Sequence, residues 1–421
     1  MLCLITGWKG TAFISVKRKA QSPTANAQSF TLCALRSKRI QLKKILLFTD
    51  WYEPGYKAGG PIQSTRNFAV AMHELYSISV ITSDTDLGEP APYEGIPANR
   101  WIDRAPGIRV YYASQKLLTA ALIRDLVESE NPDFIYLNSM YSVRFSLLPL
   151  FLLWRKKIRA KVILSPRGML RESAIKSKST RKKLFITLLK SLQIPSKIIF
   201  HATDEQEKKD ILHYFPHAQR VELIPNFSAE LPSEVSAIEK NPGRLRCVFI
   251  SRIMAIKNIT FFLDLLKEVP DSILLDLSIY GEVEDENYWQ DARQKIQLLP
   301  KHIRVTYYGP LPHAEVIAAL GANHIFVLPT FGENFGHAIF ESFSAGRPVL
   351  ISNKTPWQNL RNQLIGWDLP LDNPKAWMNA LLEAAEWDQP AFDSWSKASR
   401  AFAAKHVEQF NLKQDYLKLF N

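Results

Sequence analysis

From Lys44 onward the chain alternates short apolar runs rich in β-branched residues with longer stretches of helical spacing. The runs Ile45–Thr49, Ile78–Ser83, Arg109–Ala113, Phe134–Asn138, Lys161–Ser165, Ile198–Ala202 and Val221–Pro225 read as strands. Segments such as Pro61–Leu75 and Lys116–Ser129 between them read as amphipathic helices. Apolar runs this continuous need cover on both faces, so the pattern predicts a buried parallel sheet in an α/β layer fold. Residues 228–245 break the alternation with a polar stretch holding two prolines and one glycine, the composition of a linker. It restarts at Arg246–Ser251, runs through Leu274–Gly281, Arg304–Gly309 and Ile325–Thr330, and closes with Val349–Ser352. The predicted order is an N-terminal doubly wound domain over 43–228, a linker over 229–245 and a second such domain over 246–373. A helical tail over 374–421 then packs back across the domains. Two such sheets facing each other leave a cleft at their carboxyl ends, where open α/β sheets bind nucleotides.

Composition changes this picture little. The 421 residues are 46% hydrophobic and 22% charged, ordinary for a chain of two or three domains. Cys3, Cys33 and Cys247 are too few and too scattered for a disulfide framework or a clustered metal site, which fits a reducing compartment. No apolar run approaches the ~18 residues of a membrane span. The longest candidate, Phe145–Trp154, contains Pro149 and ends in Arg155-Lys156-Lys157.

Charge changes it more. The net +12 is concentrated in two places. Residues 1–49 carry nine Lys or Arg and no acid, and residues 1–42 read as a basic disordered extension or a misassigned start. Residues 134–203 carry fifteen Lys or Arg against Glu172 alone, so everything else after residue 49 sums to −11. Within that stretch, Arg171 through Lys190 is a basic run leading into an apolar helix. Such a surface fits reversible adhesion to anionic lipid headgroups, or a solvated basic face. No helix-turn-helix, zinc or RNP motif accompanies the charge, so nucleic acid is not the expected partner.

The densest chemical signal runs from Pro329 to Ser352. A strand ends near Thr330, a loop with Gly332 and Gly336 follows, and a helix runs to Ala345, with Gly346 at its C′ position and Pro348 beyond. Gly336 lets backbone approach a ligand, and the first amides of the helix suit a phosphate or oxyanion. Glu333 and Glu341 flank that site and can hold hydroxyls of a sugar or ribose. Because Phe340 and Phe343 make the helix apolar, a carboxylate at Glu341 needs a partner.

The Glu-x7-Glu pattern of Glu333 and Glu341, with Phe335-Gly336 inside it and Ala345-Gly346-Arg347-Pro348-Val349 after it, resembles the signature of group 1, or family 4, retaining glycosyltransferases. Matching features extend over roughly residues 44–420. The resemblance implies the GT-B fold of two Rossmann-like domains. It implies that Glu341 holds the ribose of a sugar nucleotide, that Glu333 meets the donor sugar near the reacting carbon, and that Phe335, Gly336 and His337 touch sugar and phosphate. Arg252 and Lys257, five residues apart after a strand, fall where the family places cations on the donor diphosphate. Asn258 stands where a Gly commonly follows. Gly59-Gly60-Pro61 matches the family's Gly-rich loop near the donor phosphates; it is not GxGxxG. Arg167 in Ser165-Pro-Arg-Gly-Met169 and Asn138 occupy positions where histidines are frequent, and a subgroup of relatives shares Ser-Pro-Arg-Gly-Met. The same subgroup is similar at His201-Ala-Thr-Asp-Glu-Gln-Glu207 and Thr355-Pro-Trp357. His201 either faces the cleft or packs structurally. Phe227 breaks the pattern after Asn226, which leaves Asn226 outside the expected active site.

The expectation is therefore a metal-independent enzyme without cofactor. It moves a hexose-type sugar from a nucleoside-diphosphate sugar to a glycan or lipid-linked acceptor, in cell-surface polysaccharide synthesis, from the cytoplasm or the inner membrane face. Arg167, Arg252, Lys257 and Glu333 are the catalytic candidates. The competing readings are a degenerate, membrane-associated sugar-nucleotide-binding protein and another GT-B enzyme such as an epimerase or phosphorylase.

Overall fold

The computed structural model describes residues 42–171, 175, 179–234, 236–409 and 412–421. The extension expected over 1–42 lies, but for its last residue, outside the described residues, as does part of the basic run after Arg171.

The first half is an eight-stranded sheet ordered β3-β4-β2-β1-β5-β6-β7-β8. Its strands are β1 (Lys44–Phe48), β2 (Ser77–Ser83), β3 (Trp101–Ala105), β4 (Ile108–Ala113), β5 (Phe134–Asn138), β6 (Lys161–Ser165), β7 (Ile199–Ala202) and β8 (Arg220–Leu223). Alternate residues of β1 feed opposite layers. Leu46 and Phe48 join one apolar cluster, Ile45 and Leu47 the other. That two-sided burial is why these strands read as unbroken apolar runs. Helices α1 (Gly60–Met72), α2 (Ala120–Glu130), α3 (Leu148–Trp154), α4 (Ser179–Ser191) and α5 (Glu205–Tyr214) belong to this half.

The second half is a six-stranded parallel sheet ordered β11-β10-β9-β12-β13-β14. It comprises β9 (Arg244–Ile250), β10 (Leu274–Tyr280), β11 (Ile303–Tyr307), β12 (Ile325–Leu328), β13 (Val349–Ser352) and β14 (Gly366–Leu369). Its helices are α6 (Ile259–Leu266), α7 (Glu286–Gln297), α8 (His313–Gly321) and α9 (His337–Ser344), followed by the tail α10 (Pro374–Glu386), α11 (Gln389–Gln409) and α12 (Leu412–Leu419).

Two strands correct the sequence pattern. β3 pairs antiparallel with β4, so the first sheet is not wholly parallel. Its Trp-Ile-Asp-Arg-Ala is half-exposed and carries two charges, and it is held by Trp101 against the Tyr111 ring and by Arg109 over Trp101. β14 continues the second sheet past Val349–Ser352, pairing Val349 with Gly366. Its Gly-Trp-Asp-Leu has too few apolar positions to signal a strand.

The expected linker is tied to the second half. Buried Arg347 donates to the Ser236 carbonyl, and Lys240 donates to the carbonyls of Asn241, Ala385 and Trp387. Arg400 holds the carbonyls of Pro232 and Ser233. The chain then returns, because Leu412, Tyr416, Leu419 and Phe420 complete an apolar cluster of the first sheet. No helix among the described residues is long and apolar enough to cross a membrane.

Candidate functional site

A cleft of about 980 Å³ opens where the carboxyl ends of the two sheets face each other. Residues following β1, β6, β9, β10 and β12 line it, as expected for ligand sites in open α/β sheets. It brings together the candidates from the C-terminal half: Arg252, Lys257, Glu333 and Glu341, with the backbone turn of Phe335, Gly336 and His337. From the N-terminal half it takes Gly59, Gly60 and Arg167.

On the C-terminal wall, Gly336 adopts φ 77° and starts α9 in the cleft lining. That left-handed conformation is what favours glycine here, since an added Cβ would meet only the movable end of Ile339, 2.8 Å from Cδ1. Trp357 Nε1 donates to the Phe335 carbonyl at 2.6 Å and fixes the loop from behind. Lys257 Nζ pairs with Glu333, both side chains being largely buried. Arg252 pairs with Glu284. Asn258, where the family commonly has Gly, sits at φ 56°, a left-handed conformation that asparagine tolerates better than most residues. Glu341 is 5% exposed and its partner is His313, with Nε2 3.0 Å from Oε1.

The N-terminal wall is organised by residues that the sequence left unassigned. Asp86 Oδ2 accepts the amides of Tyr56 at 2.8 Å and Lys57 at 3.2 Å, which shapes the approach to Gly59-Gly60. Gly59, at φ 63°, is the N-cap of α1. Arg167 sits at φ 55° with its guanidinium donating to Asn138, Asn226 and Tyr136. Asn226 therefore lines the cleft, contrary to the sequence expectation; Phe227 instead stacks on Tyr416, 4.7 Å between ring centroids. His201 is fully buried, with Nδ1 2.7 Å from the Tyr136 hydroxyl and Nε2 2.8 Å from the Ile224 carbonyl. Burial, with Arg167 nearby, pulls its pKa down to about 3, so it is a neutral packing residue. The His201–Glu207 motif supports the Arg167 loop. Glu207 accepts the Gly168 amide at 2.5 Å and both the amide and hydroxyl of Thr203 at 2.7 Å.

Polar side chains join the walls. Ser64 Oγ lies 2.8 Å from His337 Nε2, and Asn334 Nδ2 donates to Thr203 Oγ1 at 2.7 Å. Arg171 donates to the Glu333 carbonyl at 2.9 Å while pairing with Asp204 at 2.7 Å. Lys57 Nζ, beside Glu89, lies 3.1 Å from Glu282. Burial holds the His337 pKa at about 4, so the imidazole is neutral at physiological pH. None of these partners shares a local motif with its mate, which is why sequence reading missed them. The chemistry assembled is two cations, a turn of helix-start amides and two carboxylates, a set suited to a phosphate ester of a polyhydroxyl group.

Comparison with known proteins relates both halves to glycosyltransferases. Residues 59–226 match the family model "Glycosyl transferase 4-like domain" and residues 244–386 match "Glycosyl transferases group 1". A curated relative from Escherichia coli, UDP-Gal:alpha-D-GlcNAc-diphosphoundecaprenol alpha-1,3-galactosyltransferase, is 25% identical over 224 residues. That is 50% of this chain, and the match spans about half, 55%, of the relative. Sucrose-phosphate synthase from Thermosynechococcus elongatus superposes with TM-score 0.64 at 17% identity, covering 90% of this chain and 97% of that one. Anabaena HepE in complex with UDP and glucose superposes with TM-score 0.63 at 15% identity, covering 90% and 98%. The chain is a GT-B glycosyltransferase and belongs to the group 1 glycosyltransferases.

Proposed function

We propose that this enzyme transfers a hexose, with retention of anomeric configuration, from a UDP-sugar to a lipid-linked or glycan acceptor during cell-surface polysaccharide synthesis. The observation that carries this reading is the pairing of Lys257 with Glu333 beside the Gly336 turn, with Glu341 one to two turns into the same helix. The relative's use of UDP-galactose and a diphosphoundecaprenol acceptor, and the UDP and glucose in HepE, favour the donor and acceptor classes.

In this reading Glu341 takes the ribose hydroxyls, and Glu333 takes a hydroxyl of the hexose. Arg252, Lys257 and the amides at Phe335, Gly336 and His337 stabilise the negative charge that grows on the leaving diphosphate, without a metal ion. The acceptor hydroxyl attacks the anomeric carbon on the face from which the diphosphate departs and passes its proton to a phosphate oxygen. The polar contacts across the cleft bring the walls together and keep water from competing.

The acceptor side has a surface suited to a lipid interface. On α4 Leu184 and Leu188 are 71% and 47% exposed, one turn apart, among exposed Lys183 and Lys190. Tyr141 packs on Phe185 of that helix and leads into Val143, which is 60% exposed. Exposed leucines between lysines favour an anionic membrane face over a merely solvated one.

Thermal shift with UDP-, GDP- and ADP-sugars, followed by nucleotide release in the presence of lipid-diphosphate-linked sugars, tests the reading. Stabilisation by a UDP-hexose and release abolished by Glu333→Ala are expected. Binding with neither transfer nor hydrolysis would favour the sugar-nucleotide-binding protein instead.

A further inference from the structure

Two carboxamides in the N-terminal wall of the cleft are buried, and each has one end without a partner among the described residues. Among the described residues, Asn138 is 6% exposed with no hydrogen bond from Nδ2, and Gln63 is 6% exposed with none to Oε1. Both side chains line the cleft. Buried polar groups are nearly always satisfied, so such a pair points to a ligand that satisfies it.

The direction of the Asn138 amide is fixed by its neighbour. Asn138 Oδ1 accepts from Arg167 Nε at 3.1 Å and Nη2 at 2.5 Å. A guanidinium only donates, so the carbonyl end must face it and the NH2 end must face away. Arg167 fixes Asn226 the same way, through Nη1 to Oδ1. Arg167 is itself held: Nη2 donates to the Tyr136 hydroxyl at 3.0 Å, and that hydroxyl is anchored by His201. Its left-handed backbone, φ 55°, is secured by the Gly168 amide on Glu207. Such a conformation persists in a non-glycine residue only when the surroundings over-determine it. On α1, Asn67 donates to the Phe227 carbonyl at 3.2 Å, next to Asn226. Gln63 lies one turn earlier on the same helix, along the same wall.

We infer that Arg167 is a positioning residue, and that the Asn138 amide and the Gln63 carbonyl together recognise a hydroxyl of a hexose. The Asn138 NH2 donates to the hydroxyl oxygen, and the hydroxyl proton goes to Gln63 Oε1. A phosphate oxygen would satisfy only the first group and a methylene neither. The inference rests on the glycosyl-transfer reading and adds to it the residues that discriminate among sugars. The hydroxyl belongs to the donor hexose or to the acceptor sugar, and the test separates these.

Asn138→Asp keeps the oxygen that Arg167 holds and removes the donor, so it should fold. Gln63→Leu removes the acceptor, while Gln63→Glu retains one. For each full-length variant, thermal shift is measured with UDP and with UDP-galactose or UDP-glucose, and transfer is measured to a lipid-diphosphate-linked N-acetylglucosamine. UDP alone should stabilise all variants as it does the wild type. Asn138→Asp and Gln63→Leu should each lose at least about 10-fold in either sugar-nucleotide affinity or transfer kcat/KM, with Gln63→Glu recovering most of it. Loss of sugar-nucleotide affinity assigns the hydroxyl to the donor; loss confined to transfer assigns it to the acceptor. Arg167→Gln should lose the same step, and Arg167→Gln/Asn138→Asp should be no worse than either alone, as for groups acting as one unit. Wild-type affinity and transfer in Asn138→Asp, or an equal loss of UDP binding, overturns the inference. A wild type that neither binds nor turns over sugar nucleotides refutes the transfer reading itself.

Discussion

His201 illustrates how a residue's role here is decided by its surroundings. A histidine at a strand end in this fold invites a catalytic reading, yet both ring nitrogens are occupied inside the first half. Burial lowers its pKa to about 3, and that of His337 to about 4, from the ordinary value of 6.5. The unfolded chain therefore binds protons below pH 6.5 that the folded chain refuses until near pH 4, so stability is lost as pH falls through that window. Thermal midpoints should drop between pH 7 and pH 5, and His201→Gln should shrink that drop even though it lowers the midpoint at pH 7. An undiminished drop would remove His201 from the account. Lys257 makes the opposite case, a cation whose role comes from its place beside Glu333. Lys257→Ala should cut kcat by about 100-fold, the scale of losing one preorganised electrostatic contact in a closed site, with a smaller change in donor KM. Steady-state kinetics with the donor found by thermal shift check this. Glu333, Glu341, Arg252 and Lys257 were singled out through the family resemblance, because each pair lies within one contiguous strand-loop-helix motif, and all four line the cleft. Asn226, His313 and Gln63 were not, since only the fold brings them to the cleft.

At the scale of elements, the strand-to-helix turns bear the site, and their glycines are the sensitive points. Gly281 ends β10 in the cleft wall at φ 147°, where an added Cβ would lie 1.8 Å from the Ser251 carbonyl oxygen. That is backbone against backbone, with no side chain to yield. Gly281→Ala should destabilise by about 3 kcal/mol or more and displace Arg252, its neighbour across the strands. Gly88→Ala is the control: its φ is also positive, 77°, but none of the described residues lies within 4 Å of an added Cβ, so only backbone strain of about 1 kcal/mol is expected. Chemical denaturation of the two variants decides whether contact or conformation dominates. Most strands of both sheets were legible as apolar runs because β1 and its parallel neighbours are covered on both faces, whereas their order within each sheet comes from the fold alone. β3 and β14 escaped that logic for different reasons. One is an exposed edge pairing antiparallel, and the other is four residues opened by a glycine.

For the whole molecule, the uneven charge and the two-walled cleft have separate consequences. Leu184→Glu/Leu188→Glu should weaken flotation with phosphatidylglycerol vesicles without altering the UDP-induced thermal shift, since α4 belongs to the other half from the cation pair. Equal flotation would leave α4 as a solvated face. The contacts across the cleft make a second point. They are few, polar and made by side chains from opposite walls, so they can break and re-form as a nucleotide sugar enters and its products leave. Arg171 is the central one, because it spans from Asp204 in the first half to the Glu333 carbonyl in the second. Removing it leaves Glu333 and Lys257 in place but weakens their approach to the N-terminal wall. Arg171→Ala should therefore enlarge the radius of gyration in solution scattering, with UDP-sugar restoring the wild-type value. Its kcat/KM should fall about 10-fold while affinity for UDP alone stays unchanged, because UDP is proposed to contact chiefly the second half. If scattering is unchanged while UDP affinity falls with the rate, Arg171 acts on the nucleotide site directly and closure does not depend on it.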